Sequence, residues 1–465
     1  MPSTSPTAAA AAASATPQRT RLLLEAPIGP TLARLVAPNI VVAIAQMAVA
    51  IADAWYVGHL GVAPLAALAL VFPVQSLMTM MSAGAMGGGI SSAMARALGA
   101  GDRGRAESIA AHALIIAAGM AALFTILFAF FGRPLFALLG GRDEALAGAV
   151  GYAHIVFGGA IVVWAANTLA SLLRGTGNML VPGVVFTVAA LGNIALSGAL
   201  TLGWLGAPRL GVAGPAVAFI ATFLMAALAM LAYLASGRGG VRLRLFDVKL
   251  RAPIFLDILK VGLVACGNAL LTIATIVIVT GLVGLYGTAA LAGYGLGSRL
   301  ELLLIPITFS VGGAMTAMVG ANRGARAYAR ARQIGWTGGL AAFAITGVIG
   351  LTVALAPDIW IGLFTADPAA AEVARRYLAI AGPCFAFFGL GQSLYFATQG
   401  TGTMVAPFAA GVARLVVAGA GGAIVVLALG LPLTWLFVLV ALGFVVFGGM
   451  LAYAVWRGRT WNPER

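Results

Sequence analysis

The sequence predicts an all-α integral membrane protein with twelve transmembrane helices arranged as two pseudo-symmetric six-helix bundles. Three observations carry this prediction. Of 465 residues, 62% are hydrophobic and only 9% charged, with a mean hydropathy of +1.04, far outside the range of soluble globular chains. Apolar runs of roughly 20 residues or more, enough to cross about 30 Å of hydrocarbon as helix, recur after the first few tens of residues. The chain also repeats itself at a spacing of 225 or 226 residues.

In order along the chain, the opening stretch "MPSTSPTAAAAAASATPQRT" is Ala, Ser, Thr and Pro without a core pattern, so residues 1–21 are expected to be a disordered cytoplasmic tail. Its arginines, Arg19 and Arg21, follow the alanine run instead of preceding it, unlike a signal peptide. The apolar runs fall at about 35 to 57, 62 to 97, 107 to 131, 147 to 172, 178 to 204 and 211 to 236. A second set follows at about 254 to 284, 289 to 319, 333 to 356, 373 to 398, 404 to 429 and 432 to 456. They are continuous, without the ten-residue alternation of a membrane barrel, so helices are expected. Residues 22–236 form the N-terminal lobe and 254–456 the C-terminal lobe, joined by a polar cytoplasmic linker, 237–253, and followed by a cytoplasmic tail, 457–465.

The repeat fixes how the lobes relate. "RGTGNMLVP" at Arg174 to Pro182 recurs as "QGTGTMVAP" at Gln399 to Pro407, and "VGHLGVAPLAAL" at Val57 recurs as "VGLYGTAALAGY" at Val283. The shift spans six helices, an even number, so both copies have the same orientation and an axis along the membrane normal should relate them. Parallel halves around a central cavity are an architecture of alternating-access transporters, with substrate bound near the midplane.

Net charge +14 follows the membrane and not a polyanion. With the N-terminus in the cytoplasm, most basic residues fall on that side, among them Arg96, Arg105, Arg174, Lys249, Lys260 and Arg323. Only Arg133, Arg142, Arg209, Arg375 and Arg376 fall outside. That is the positive-inside bias with both termini cytoplasmic, so no nucleic-acid partner is expected. The cysteines, Cys266 and Cys384, both lie in apolar runs and are expected to pack as small hydrophobes.

Of thirteen carboxylates, two remain at membrane depth, Asp53 and Glu301. Each costs at least about 2.5 kcal/mol on insertion scales, and such groups mark ion or substrate pathways by default. In the repeat, Asp53 aligns with Val279 and Glu301 with Gln75, so neither acid is required by the fold. Two readings of Asp53 stand: it leans out to the interface near Gly58 and His59, or it faces the bundle interior and exchanges a proton or cation. Asn193 and Ser197, four residues apart and so on one helix face, can supply hydrogen bonds or oxygen ligands to it. Glu301 either serves transport or forms a buried pair with Arg414 that holds the second lobe together. His59, His112 and His154 are lone histidines with structural and pH-sensing readings both open.

The run "SAGAMGGGISSAMARALGAGDRGRA" lacks the GxxxxGK[ST] order of a phosphate loop, and its small residues are expected to permit close helix packing. No DDxxD, HExxH or GxSxG motif supports an intramembrane enzyme.

Together "LLLEAPIGPTLARLVAPNI", "IADAWYVGHLG", "SSAMARALGAGDRGRA", "RGTGNMLVP", "GYGLGSRLELLLIP" and "MVGANRGA" resemble the multidrug and toxic compound extrusion family. The resemblance implies a non-enzymatic antiporter in a bacterial inner membrane. It would export small amphiphilic compounds, cationic in character, in exchange for protons or sodium, without cofactor or obligatory protein partner, among membrane lipids. It assigns Asp53 as the coupling acid and Asn193 as its fifth-helix partner. Two departures stand out: Ser197 replaces a second aspartate, and Phe219 aligns with a sixth-helix threonine. With those oxygens altered, proton coupling is expected over sodium. A seventh-helix glutamate is also absent, and Glu301 matches the "R-x-E" of the eighth helix. A flippase for lipid-linked substrates would share this fold. It would need cations in the cavity, for which Arg299 and Arg414 are the evident embedded candidates.

Overall fold

The computed structural model describes residues 18–241, 249–365, 367–458 and 461. Among these residues there is no strand. The helices are α1 (Gln18–Glu25), α2 (Ile28–Gly58), α3 (Val62–Gly99), α4 (Arg103–Leu138), α5 (Asp143–Gly158), α6 (Ala160–Gly175), α7 (Leu180–Leu202) and α8 (Ala213–Ala235). The second half supplies α9 (Ala252–Gly284), α10 (Thr288–Gly324), α11 (Tyr328–Leu355), the short α12 (Asp358–Ile361), α13 (Pro368–Thr401), α14 (Val405–Ala428) and α15 (Leu433–Arg457). Eleven of these are long and apolar enough to span a membrane singly. The pair α5 and α6, bent by 48° at Gly159, makes the twelfth span.

The outward surface is apolar, as lipid contact requires: Ile44, Phe130, Leu228 and Val348 are all exposed. Aromatic side chains fill the lobe interiors. Phe128 stacks on Phe157 at 3.9 Å in the first lobe, and Tyr294, Tyr377 and Phe437 pack edge and face in the second.

The two lobes repeat one packing scheme. In the first, α2 packs on α7, α7 on α8 and α3 on α5; in the second, α9 packs on α14, α14 on α15 and α10 on α13. The turns repeat as well: α2 ends before Gly61 at φ +122°, and α9 ends before Gly287 at φ +100°, 226 residues later, conformations that favour glycine.

The ends of the chain depart from expectation. Residues 1–17 lie outside the described residues, but 18–21, assigned above to a disordered tail, belong to α1. Thr20 and Leu23 of that helix are buried, and Asn322 Nδ2 donates to the Leu23 carbonyl at 3.0 Å. Two buried side chains, Thr20 and Leu23, and one satisfied carbonyl dock this segment on α10. Similarly, Trp461 of the C-terminal tail is buried against Gly335, and its carbonyl accepts from Arg323 Nη1 at 2.7 Å. Residues 242–248 of the linker, with 459–460 and 462–465 of the tail, lie outside the described residues.

Candidate functional site

The lobes touch at one end and part at the other. The glycine-rich second half of α3 makes the contact, and its partner is the second half of α10. A Cβ on Gly99 would sit 2.0 Å from the Ala321 carbonyl oxygen, and one on Gly324 would sit 2.1 Å from the Arg96 carbonyl oxygen. Positions 96 and 99 are 225 residues from 321 and 324, so these two contacts exchange under the pseudo-two-fold. The axis runs through this seam.

Polar groups reinforce the seam. Asp257 at the start of α9 accepts from Arg96 and Arg105 of the first lobe, each at 2.9 Å, and pairs with Lys260 at 3.0 Å. Ser92 Oγ donates to the Gln399 carbonyl at 2.6 Å, and Gln399 Nε2 donates to the Ala85 carbonyl at 2.9 Å. His112 joins the lobes too, accepting at Nε2 from the Arg251 backbone N–H at 2.9 Å.

Beyond the seam lies a cavity of about 490 Å³ bounded by both lobes. That volume is within the usual range for small-molecule sites, roughly 300–1,000 Å³. Its walls are mostly apolar and aromatic: Phe72, Phe186, Phe219 and Phe223 from the first lobe, Phe309, Tyr395 and Phe396 from the second. Met80–Met86 of α3, which borders it, is wound as π-helix, a distortion often found at functional sites. Besides tyrosines, the ionisable side chains in the wall are Asp53 and Arg174.

Asp53 is half-buried and turned inward. Its Oδ1 accepts from Ser197 Oγ at 2.5 Å, and a helical turn away on α7 Asn193 Nδ2 donates to Thr222 Oγ1 of α8 at 3.3 Å. Asn193 Oδ1 is buried without a hydrogen-bond partner. The structure thus joins Asp53 to Ser197 at the α2–α7 contact, sets Asn193 one turn along α7 against Thr222 of α8, and so adds a residue that sequence reasoning missed. The hydroxyl that meets Asn193 from α8 is that of Thr222, three residues on from Phe219, which itself lines the cavity. No group of three or more His, Cys, Asp or Glu able to hold a metal occurs among the described residues.

Glu301 and Arg414 meet, but away from the cavity wall. Arg414 Nη2 donates to Glu301 Oε1 at 2.7 Å, both side chains are buried, and the guanidinium lies over the Phe388 and Phe444 rings at 5.4 and 5.0 Å. The geometry is that of a closed pair inside the second lobe. Gln75, the counterpart of Glu301, instead lines the cavity and accepts from Tyr152 Oη at 3.2 Å. Arg299 is exposed and lies over Phe364, outside the cavity. None of the three histidines lines it either.

Arg174, read from the sequence as on or near the cytoplasmic side, is 8% exposed and lines the deep end of the cavity, 5.8 Å from the Phe309 ring centre. The one sequence signal was its place in the repeat, where Gln399 stands at the matching position.

A duplicated twelve-span bundle with an interlobe cavity, an acid in its wall and a seam on the axis is the architecture of a membrane transporter. The MatE family model matches residues 38–198 and 264–425, one segment in each lobe, and the chain belongs to that family, whose members are transporters and not enzymes. Among curated relatives, it is 26% identical over 377 residues to an FAD transporter of Shewanella oneidensis, covering 81% of this chain and 82% of that one. It is 28% identical over 377 residues to a probable multidrug resistance protein NorM of Caulobacter vibrioides, covering 78% of each. Its fold matches that of a MOP superfamily transporter from Pyrococcus furiosus, described as having a binding pocket of reversed polarity, with a TM-score of 0.88 and 24% identity over 97% of this chain and 99% of that one. An outward-facing multidrug resistance transporter of the same superfamily matches at a TM-score of 0.86 and 24% identity, over 97% and 100%.

Proposed function

We propose that this protein is a secondary active antiporter that exports amphiphilic organic compounds by alternating access of the interlobe cavity, with Asp53 as the coupling acid. The observation that carries this is the inward-turned Asp53 carboxylate, bonded to Ser197 in the wall of a cavity sealed at one end. The positive-inside bias puts the sealed end, with Arg96, Arg105, Lys260 and Arg323, in the cytoplasm, so the cavity opens outward. In this state the pathway delivers a proton to Asp53 from outside and releases substrate there. The aromatic walls suit flat apolar ring systems. Relatives of similar identity carry names for a flavin nucleotide and for drugs, so cargo is not set by likeness alone.

A second reading of the coupling ion rests on one observation. Thr222 restores an oxygen to the cluster, and the unpartnered Asn193 Oδ1 offers another, so Asp53, Asn193, Ser197 and Thr222 form an all-oxygen set suited to sodium. Glu301 and Arg414 are assigned a structural role.

The test is efflux of ethidium from energised vesicles under an imposed proton or sodium gradient, comparing wild type with Asp53→Asn. The proposal expects gradient-driven efflux to vanish in the variant. Undiminished efflux would remove Asp53 from coupling, and the gradient that drives the wild type names the ion.

A further inference from the structure

We infer that the deep end of the cavity is an anion subsite built on Arg174, so that the compounds carried include aromatic organic anions bearing a phosphate or carboxylate. The inference rests on the transport reading above and changes the charge expected of the cargo.

The Arg174 side chain is more than nine-tenths buried, and its Nε has no hydrogen-bond partner. Among the described residues no carboxylate pairs with it; its neighbour is the face of Phe309. A guanidinium left in this condition at membrane depth is costly, and such residues are as a rule paired or facing a substrate path. Beside it a recess of about 20 Å³ continues from the cavity, lined by Gly87, Gly88, Ser91, Ser171 and Gly313 as well as Arg174. Ser91 is also buried, and its Oγ has no partner. Two donors without acceptors therefore line one recess, which is filled beside Gly87 and Gly88 by the Ser171 and Gln399 side chains but open at Gly313, where a Cβ would have its nearest neighbour, Asn39 Nδ2, 3.8 Å away. An oxyanion supplies the missing acceptors, and a guanidinium matches phosphate or carboxylate in a two-point contact.

The repeat gives an internal control. Gln399 occupies the position of Arg174 in the second lobe and there bonds across the seam to the Gly84 and Ala85 carbonyls. Arg174 makes no such bond, so its charge is not explained by holding the lobes together. Phe309 and Phe396 at the recess, and Tyr395 in the cavity wall, supply ring faces for the rest of the molecule.

The experiment compares binding of riboflavin and riboflavin 5′-phosphate, one fluorescent ring without and with a phosphate, to the purified full chain in phosphatidylcholine nanodiscs. The expected wild-type preference for the phosphate is about tenfold or more, the size of one charged hydrogen bond. Arg174→Gln, which copies the residue of the second lobe, should collapse that ratio toward one, and Arg174→Lys should keep part of it. A ratio near one in the wild type, which needs no variant to fold, would overturn the subsite. So would a full preference persisting in Arg174→Gln. Repeating the titration in phosphatidylglycerol nanodiscs separates sources: loss of the preference there would show that a lipid phosphate takes the site, overturning the aromatic-anion assignment. Binding needs no gradient. Ethidium efflux without a phosphate preference would sink the subsite alone, whereas a phosphate preference without efflux of any probe would sink the transport reading.

Discussion

The Asp257 cluster allows a quantitative prediction about the conformational equilibrium. Its carboxylate takes one bond from Arg96 and one from Arg105, both across the lobe seam, while Lys260 belongs to its own helix. Asp257→Asn keeps the shape and removes the charge. Side-chain exposure is 16% for Arg96 and 11% for Asp257, so that bond is shielded and worth about 1.5–3 kcal/mol. Arg105 is 46% exposed, and solvent screening cuts its share to about 1 kcal/mol or less. Together the sealed state loses roughly 2–4 kcal/mol relative to any state in which the seam is open. A molecule sealed about 99% of the time would fall to about 77% with a loss of 2 kcal/mol, and to less than half with 3 kcal/mol.

Spin labels at Gly104 and Ala329, exposed and 225 residues apart in the repeat, report the separation of the lobes at this end. Cys266 and Cys384 are replaced first. The variant should show a second, longer distance population of at least about a fifth, growing less marked as an Arg105→Gln change is tested in its place. A single unchanged distance in Asp257→Asn would refute the reasoning, because packing and the Ser92, Gln399 and His112 bonds would then hold the seam without the Asp257 charge.

Three further outcomes follow from the same geometry. Gly99→Ala places a methyl against a backbone oxygen that cannot rotate away, an overpacking cost of about 1–3 kcal/mol, and the same spin-label pair should report opening. Glu301→Gln strands a buried guanidinium and should cost about 3–5 kcal/mol, read as a lower unfolding temperature; adding Arg414→Met should recover much of it, and a stable but inactive single variant would instead assign Glu301 to transport. Thr222→Val removes the oxygen partnering Asn193: under sodium coupling the half-saturating sodium concentration should rise about fivefold or more, and under proton coupling it has no counterpart to move.

Hydropathy is a property of consecutive residues, so the spans could be read one by one, and the bend in the fourth did not hide it. Asp53 was legible for the same reason, as an acid inside an apolar run with a valine at the matching place in the repeat. The pairing of Glu301 with Arg414 was within reach because few charges stand at that depth. Thr222 was not legible. A hydroxyl one helical turn from the expected position looks the same as any other in a helix until the neighbouring span is placed against it. The burial of Arg174 was not legible, because its position at the end of an apolar run is also where topology puts arginines. Whether such a side chain runs out to the headgroups or back into a cavity depends on the bend at Gly159 and on how the lobes dock, and neither is a local property.

The repeat divides the chemistry between halves that share one fold. In the first lobe Asp53, Asn193 and Ser197 form a polar cluster; the matching positions of the second are Val279, Ala418 and Gly422, each packed in the apolar interior. The second lobe has its own charges, but Glu301 and Arg414 close on each other and leave nothing for a moving ion to neutralise. Arg174 and Gln399 divide in the opposite sense, the first facing the cavity with free donors and the second spending its amide on the seam. An ion bound in the first lobe can therefore change the charge of the cavity wall without disturbing the second lobe's core. The adjustable acid of the proposed function and the cation of the cavity wall both stand in the first lobe, and the second, its charges closed on each other, offers the cavity an unchanging face, a division that two copies of one fold do not by themselves require.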